Sequence, residues 1–311
     1  MILPRFEKTN MLLPTAKERL TSNPAVVFAL CFPVLLLSQL GRDLLYGVAV
    51  RLFPASSIST HLLFQVFATI STVAVVLLYC LLAERRTLQS LGFSRRGAIP
   101  EYGLGLLGGF VLFGGAVLLC LACGALTVEI APVSPSPGIT ALYFAGFLIQ
   151  GMSEELLCRS YLMVSLSRSL PLWSCAVLNA LLFSLLHMGN PGISVIPLLN
   201  IFLFGLFASM LTLRRGSIWM VGALHSMWNF VQGNLFGIPV SGITGIPSPL
   251  VSTPRAGFLG ELISGGSFGL EAGLGVTVVL AAASIAVAFL PTKRSEIASA
   301  QVLEGYGGSS L

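Results

Sequence analysis

The sequence predicts an all-α fold: a polytopic membrane protein of about eight transmembrane helices around a polar intramembrane cavity. Three observations predict it. Of the 311 residues, 55% are hydrophobic and only 9% charged, at a mean hydropathy of +0.90, whereas a soluble domain carries about 25% charged residues. Apolar stretches near the ~20 residues that span a bilayer recur at 24–41, 58–82, 102–126, 138–166, 171–188, 193–213, 217–236 and 268–290. The basic residues alternate in step with them. With the N-terminus in the cytoplasm, thirteen basic residues (Arg5, Lys8, Lys17, Arg19, Arg85, Arg86, Arg95, Arg96, Arg168, Arg214, Arg215, Lys293 and Arg294) fall inside, and Arg42, Arg51 and Arg255 outside. That asymmetry follows the positive-inside rule and puts both termini in the cytoplasm.

The formal charge of +5, from 17 Lys+Arg against 12 Asp+Glu, therefore orients spans and meets anionic lipid head groups. A nucleic-acid partner is not expected.

The elements follow in order. Residues 1–23 form a cytoplasmic segment whose charges resemble the start of a signal peptide. The run behind it is too long for a signal core and lacks a small-x-small cleavage site, so 24–41 is a retained anchor. His61, near the start of the second span and without a polar companion, reads as interfacial. Cys120-Leu-Ala-Cys123 has redox spacing but sits in an apolar run, so it reads as buried thiols. Ala131 to Gly138 is a Pro/Ser-rich connector. Residues 237–267, rich in Gly, Pro and Ser, are expected to be a loose outer loop rather than a lid. The transmembrane domain is 24–290, with a core at about 138–242, and residues 291–311 are a cytoplasmic tail expected to be disordered. There is no internal repeat.

Ionisable residues inside apolar spans are expensive and point to function. The fourth span carries Gly151-Met-Ser-Glu154-Glu155-Leu-Leu-Cys-Arg159. Glu155 and Arg159 are four apart on one helix face and can pair. Glu154, about 100° around the helix, is left without that partner, as a general base must be. Gly151 and Ser153 permit a close neighbouring helix. The fifth span ends in Phe183-Ser-Leu-Leu-His187, and the seventh holds His225-Ser-Met-Trp-Asn229. A His and an Asn on one face can donate to an oxyanion.

These residues resemble the three signature motifs of the CAAX protease and bacteriocin-processing family, also called Abi. That family includes the type II CAAX prenyl endopeptidases. Glu154-Glu155-x-x-x-Arg159, Phe183-x-x-x-His187 and His225-x-x-x-Asn229 occur in order on separate spans. Asn229 to Gly242 is also similar to bacterial members. The resemblance covers residues 150–242 and implies an intramembrane endopeptidase acting on a membrane-associated or prenylated (CAAX-type) protein or peptide. By the same resemblance, Glu154 activates water with the help of His187. His225 and Asn229 form the oxyanion hole, with Glu155, Arg159 and Phe183 in support.

A metal site is the competing chemistry, since Glu154, His187 and His225 are a two-His-one-carboxylate set suited to zinc or another divalent metal. No cofactor is the favoured expectation. Other function classes are a proton-coupled transporter, which buried Glu and His also permit, and a catalytically silent scaffold. One geometric demand is severe. With these span ends and 1.5 Å per residue, Glu154 and His187 differ in depth by roughly 10 Å, which tilted helices or a fifth helix that starts deeper must absorb. For a bacterial chain the plasma membrane is the expected location.

Overall fold

The computed structural model describes residues 6–13, 17–21 and 23–292. Arg5, Lys293, Arg294 and most of the expected disordered tail lie outside the described residues. The chain is mostly helical: α1 Pro24–Leu52, α2 Ile58–Ala68, α3 Ile70–Leu78, α4 Ala98–Ala122, α5 Pro137–Glu155, α6 Val164–Leu166, α7 Leu172–Leu185, α8 Val195–Arg215, α9 Trp219–Phe230, α10 Phe258–Ser264 and α11 Leu274–Phe289. Among the described residues, four helical segments are long and apolar enough to cross a membrane: Pro24–Leu52, Ile58–Ala83, Ala98–Ala122 and Val195–Arg215. α7 and α11 are apolar but shorter. The outward faces of the long segments are apolar, as at Phe32, Leu44, Leu82 and Leu118, which in water would be a liability and in lipid is a match.

Local chemistry sets the starts of these helices. Asn23 caps α1 by accepting from the Ala25 N–H at 2.9 Å, with Pro24 in the first turn, where its missing N–H costs nothing. Ser136 and Pro137 open α5 in the same way. α8 ends at Gly216, which takes φ 63°, a conformation glycine adopts without strain.

Three expectations need correction. The chain is not wholly helical: Leu126–Ile130 (β1) pairs antiparallel with Leu250–Pro254 (β2), Val128 opposite Ser252. The residues at the end of the 102–126 stretch thus enter a strand, because Gly124 turns the chain with φ 62° and breaks the helix. Residues 237–267 are not a loose loop either. They contain β2 and α10, and Asn234 and Ser252 side chains bind their backbone and that of Phe236. Finally, the first helix does not stop at 41 but runs to Leu52, so Arg42 and Arg51 are helical rather than loop residues. The polar group Gln39–Arg42–Asp43 bonds within the helix at i, i+3 and i+4, so it continues the helix instead of ending it.

Residues 6–13 pack against the helical body. Met11 and Leu12 are buried, the Leu12 carbonyl accepts from Arg168 at 2.7 Å, and the Phe6 ring packs 5.0 Å from Trp173.

The layer that matters for the site is α5 against α9. At Gly151 an added Cβ would stand 2.6 Å from the Ser226 backbone nitrogen, so only glycine lets the two helices approach so closely. That approach sets His225 beside the end of α5.

Candidate active site

Glu154 and Glu155 are the last residues of α5, which continues as a π-helical stretch, Leu156–Met163. Such wider turns are frequent at functional positions. Here the stretch carries Arg159 inward. Glu155 and Arg159 are both fully buried, with Nη1 of Arg159 3.0 Å from Oε1 of Glu155. Arg159 also donates through Nη2 to the Gly205 carbonyl at 3.1 Å and lies over the Phe183 ring, 4.5 Å from its centroid. The pair is thus compensated from three directions, which a buried charge requires.

His225, on α9 and 5% exposed, places Nδ1 2.9 Å from the same Oε1 of Glu155. Its Nε2 faces Oε2 of Glu154 at 3.8 Å. Glu154 accepts at Oε1 from Gln150 Nε2 at 2.5 Å, while its Oε2 has no hydrogen-bond partner among the described residues. Gln150 in turn accepts from Asn229 Nδ2 at 2.9 Å. Asn229, Gln150 and Glu154 therefore form a hydrogen-bonded chain from α9 to α5.

His187 lies in the turn after α7, its Nδ1 2.8 Å from the Phe183 carbonyl. That leaves Nε2 as the ring nitrogen available to a ligand. Phe183 is the common neighbour, with ring centroids 4.8 Å from His187 and 6.0 Å from His225.

One cavity of about 560 Å³ is lined by Glu154, Phe183, His187, His225 and Asn229 together. Glu155 and Arg159 stand behind that wall. The depth mismatch is absorbed as the short fifth helix demands. With 14 residues, α7 is about 21 Å long, less than the ~30 Å hydrocarbon core, and its His187 end reaches the same cavity as Glu154. His61 is not part of this lining, and its Nδ1 meets Tyr46 Oη at 3.3 Å.

Sequence reasoning missed Gln150, the link between Glu154 and Asn229. Its signal was present, since it precedes Glu154 by one helical turn. As for the metal alternative, among the described residues no three His, Cys, Asp or Glu side chains stand where they could hold an ion.

The arrangement is that of a membrane protein with a carboxylate, two imidazoles and an amide facing one cavity. Residues 136–231 match the family model described as Type II CAAX prenyl endopeptidase Rce1-like, and that family is a protease family. The matched segment holds every motif residue from Glu154 to Asn229. No curated protein matches the chain.

Proposed function

We propose that the protein is an intramembrane endopeptidase that hydrolyses a peptide bond of a membrane-associated protein or peptide, in a chain of eight spans with both termini in the cytoplasm. One observation carries this reading: residues from three separate helical segments, Glu154, His187, His225 and Asn229, line a single cavity. The match over residues 136–231 supports the same chemistry.

In this reading Glu154 is the general base. Its unpartnered Oε2 takes a proton from a water, and His187 Nε2 orients that water. The water oxygen attacks the carbonyl carbon of the scissile amide and a tetrahedral oxyanion forms. Asn229 spends one amide hydrogen on Gln150 and keeps the second for the oxyanion, as an NH₂ group allows. His225, its Nδ1–H fixed on Glu155 and its ring protonated at both nitrogens between the two carboxylates, offers Nε2–H as the other donor at that place. Donors set in advance at a developing charge contribute strongly in a site that excludes bulk water. The carbon–nitrogen bond then breaks and the proton held by Glu154 passes to the leaving amine. Glu155 and Arg159 hold the wall, and the protein's own groups suffice without a metal. Lipids and a protein or peptide chain are the partners.

The test is cleavage by purified protein in micelles, read by mass spectrometry on a pool of peptides and membrane-protein fragments. Wild type should cut and Glu154→Gln should not, with both eluting as folded protein. A Glu154→Gln variant with full activity would overturn the reading.

A further inference from the structure

Beyond the third motif the chain makes a tight turn whose hydrogen bonds run in two directions. Val240 and Ile243 exchange both backbone bonds, the Val240 N–H reaching the Ile243 carbonyl at 3.0 Å and the Ile243 N–H the Val240 carbonyl at 2.9 Å. The two residues between them, Ser241 and Gly242, have φ 47° and 85°. Positive φ at both central positions marks a type I′ turn, which favours Asn or Gly at the first of them. Gly242 meets that demand without strain. Ser241 does not, so a group outside the turn must hold it there.

Glu271, just before α11 begins at Leu274, is that group. Its Oε2 accepts from the Ser241 N–H at 2.7 Å and from the Ser241 hydroxyl at 3.0 Å. A carboxylate acceptor makes the stronger kind of hydrogen bond. On its other side the turn is joined to the segment that follows α7. The Ser241 carbonyl accepts from Asn190 Nδ2 at 3.1 Å, and the Asn190 N–H donates to the His187 carbonyl at 3.0 Å. At Gly242 an added Cβ would stand 2.2 Å from the Pro191 carbonyl oxygen, so the turn presses directly on that segment. His187 lies past Leu185, the last residue of α7, and no continuing helix fixes its place. His187, Asn190 and Ser241 line the main cavity, whereas Glu271 stands behind it.

We propose that Glu271 is a positioning residue for His187: through Ser241 and Asn190 it fixes the segment that carries the imidazole into the cavity. The task of His187, orienting the attacking water, rests on the peptidase reading, while its placement rests on the hydrogen bonds alone. Ser241 and Glu271 both lie outside the matched residues 136–231. The motif-bearing helices thus draw this support from the chain that follows them.

The experiment reads the placement of His187 apart from turnover, so that the two readings fail separately. Full-length protein in maltoside micelles is treated with diethyl pyrocarbonate, and modification of each histidine is followed by mass spectrometry. The chain has 3 His, and His61, which meets Tyr46 instead, is the internal control. Glu271→Ala should raise the rate at His187 about fivefold, since losing a local tie raises the open population, and leave His61 unchanged. Glu271→Gln keeps one oxygen for the Ser241 N–H and should fall between, which serves the test if the alanine variant does not fold. Adding Ser241→Gly to either variant should restore the slow rate, because glycine takes the left-handed conformation without help. Cleavage should follow, with kcat about tenfold lower in Glu271→Ala and recovered with the glycine. An unchanged His187 rate in whichever of the Glu271 variants folds overturns the proposal. So does a rise at His61 in step with His187, or a failure of Ser241→Gly to rescue. A shifted and rescued His187 rate in a chain whose wild type cuts nothing sinks the peptidase reading alone. Cleavage at the wild-type rate in Glu271→Ala sinks only the positioning role.

Discussion

Nδ1 of His225 and Oε1 of Glu155 lie 2.9 Å apart, and the same oxygen receives Arg159 at 3.0 Å. Glu155 thus orients the imidazole and neutralises the guanidinium with one atom. Replacing Glu155 by Gln removes the charge that compensates Arg159, and an uncompensated buried charge costs about 3–5 kcal/mol. Glu155→Gln should therefore lower the unfolding midpoint sharply and lose activity through misorientation of His225. Thermal unfolding in micelles alongside peptide cleavage checks both. An unchanged midpoint would show that the pair is not compensated as described.

Glu154→Gln should behave in the opposite manner. Its neighbour Gln150 can still donate to the new amide oxygen, so the unfolding midpoint should stay within a degree or two of wild type. Cleavage should fall by about 10²–10⁴, the usual contribution of a general base. The comparison of the two variants separates chemistry from stability at adjacent positions.

In the proposed mechanism Asn229→Ala removes one oxyanion donor, for which the expected loss is about 10²–10³ in kcat. Gln150→Ala breaks the link between Asn229 and Glu154 but leaves both in place. Its loss should be smaller, about tenfold, and a double variant should show non-additive losses because the two share one hydrogen bond. Steady-state kinetics of the four proteins decides it.

Gly151→Val places a branched side chain against the Ser226 backbone. Overpacking of this kind costs about 1–3 kcal/mol, and here it also separates His225 from Glu155. Both stability and activity should drop, whereas Gly138→Val, whose Cβ position is open, should change neither. Folding yield and cleavage rates of the two variants test the contrast.

In the Arg-rich connection between the second and third spans, Glu84 is 5% exposed. Burial pushes its carboxyl above the ordinary range, opposed by the nearby Arg86. Between its ordinary pKa and the raised one, the folded state holds more protons than the unfolded state. Its stabilising effect is therefore present at the acid side and declines as pH rises through that window. The midpoint of wild type minus that of Glu84→Gln should fall from pH 4.5 upward and then level. A difference that rises with pH would contradict it.

The membrane class and the motif residues were legible in the sequence because ionisable groups stand out against apolar runs. Glu155–Arg159 pairing followed from spacing alone. Gln150 escaped notice because it carries no charge, although its distance from Glu154 was one turn. Arg42 was read as a loop residue because Arg42-Asp43 looked like the end of a span. The Gln39 bonds that keep the helix going depend on side-chain geometry. β1 was not foreseen: the third span ended at Leu126, its first residue, and the partner of Leu126–Ile130 lies far along the chain. No periodicity announces a pairing between distant segments, nor the π-helical widening after Glu155.

That distant pairing has a consequence for how the protein is made. β1 leaves the ribosome before α5, and β2 only after α9, so the strand waits for the whole motif-bearing segment to be synthesised. At 5–20 residues per second the wait is on the order of ten seconds. During it, α4 has no strand pairing at its C-terminal end. Closure of the two strands thus marks the completion of the motif-bearing segment, and a truncated chain ending before Leu250 never reaches it.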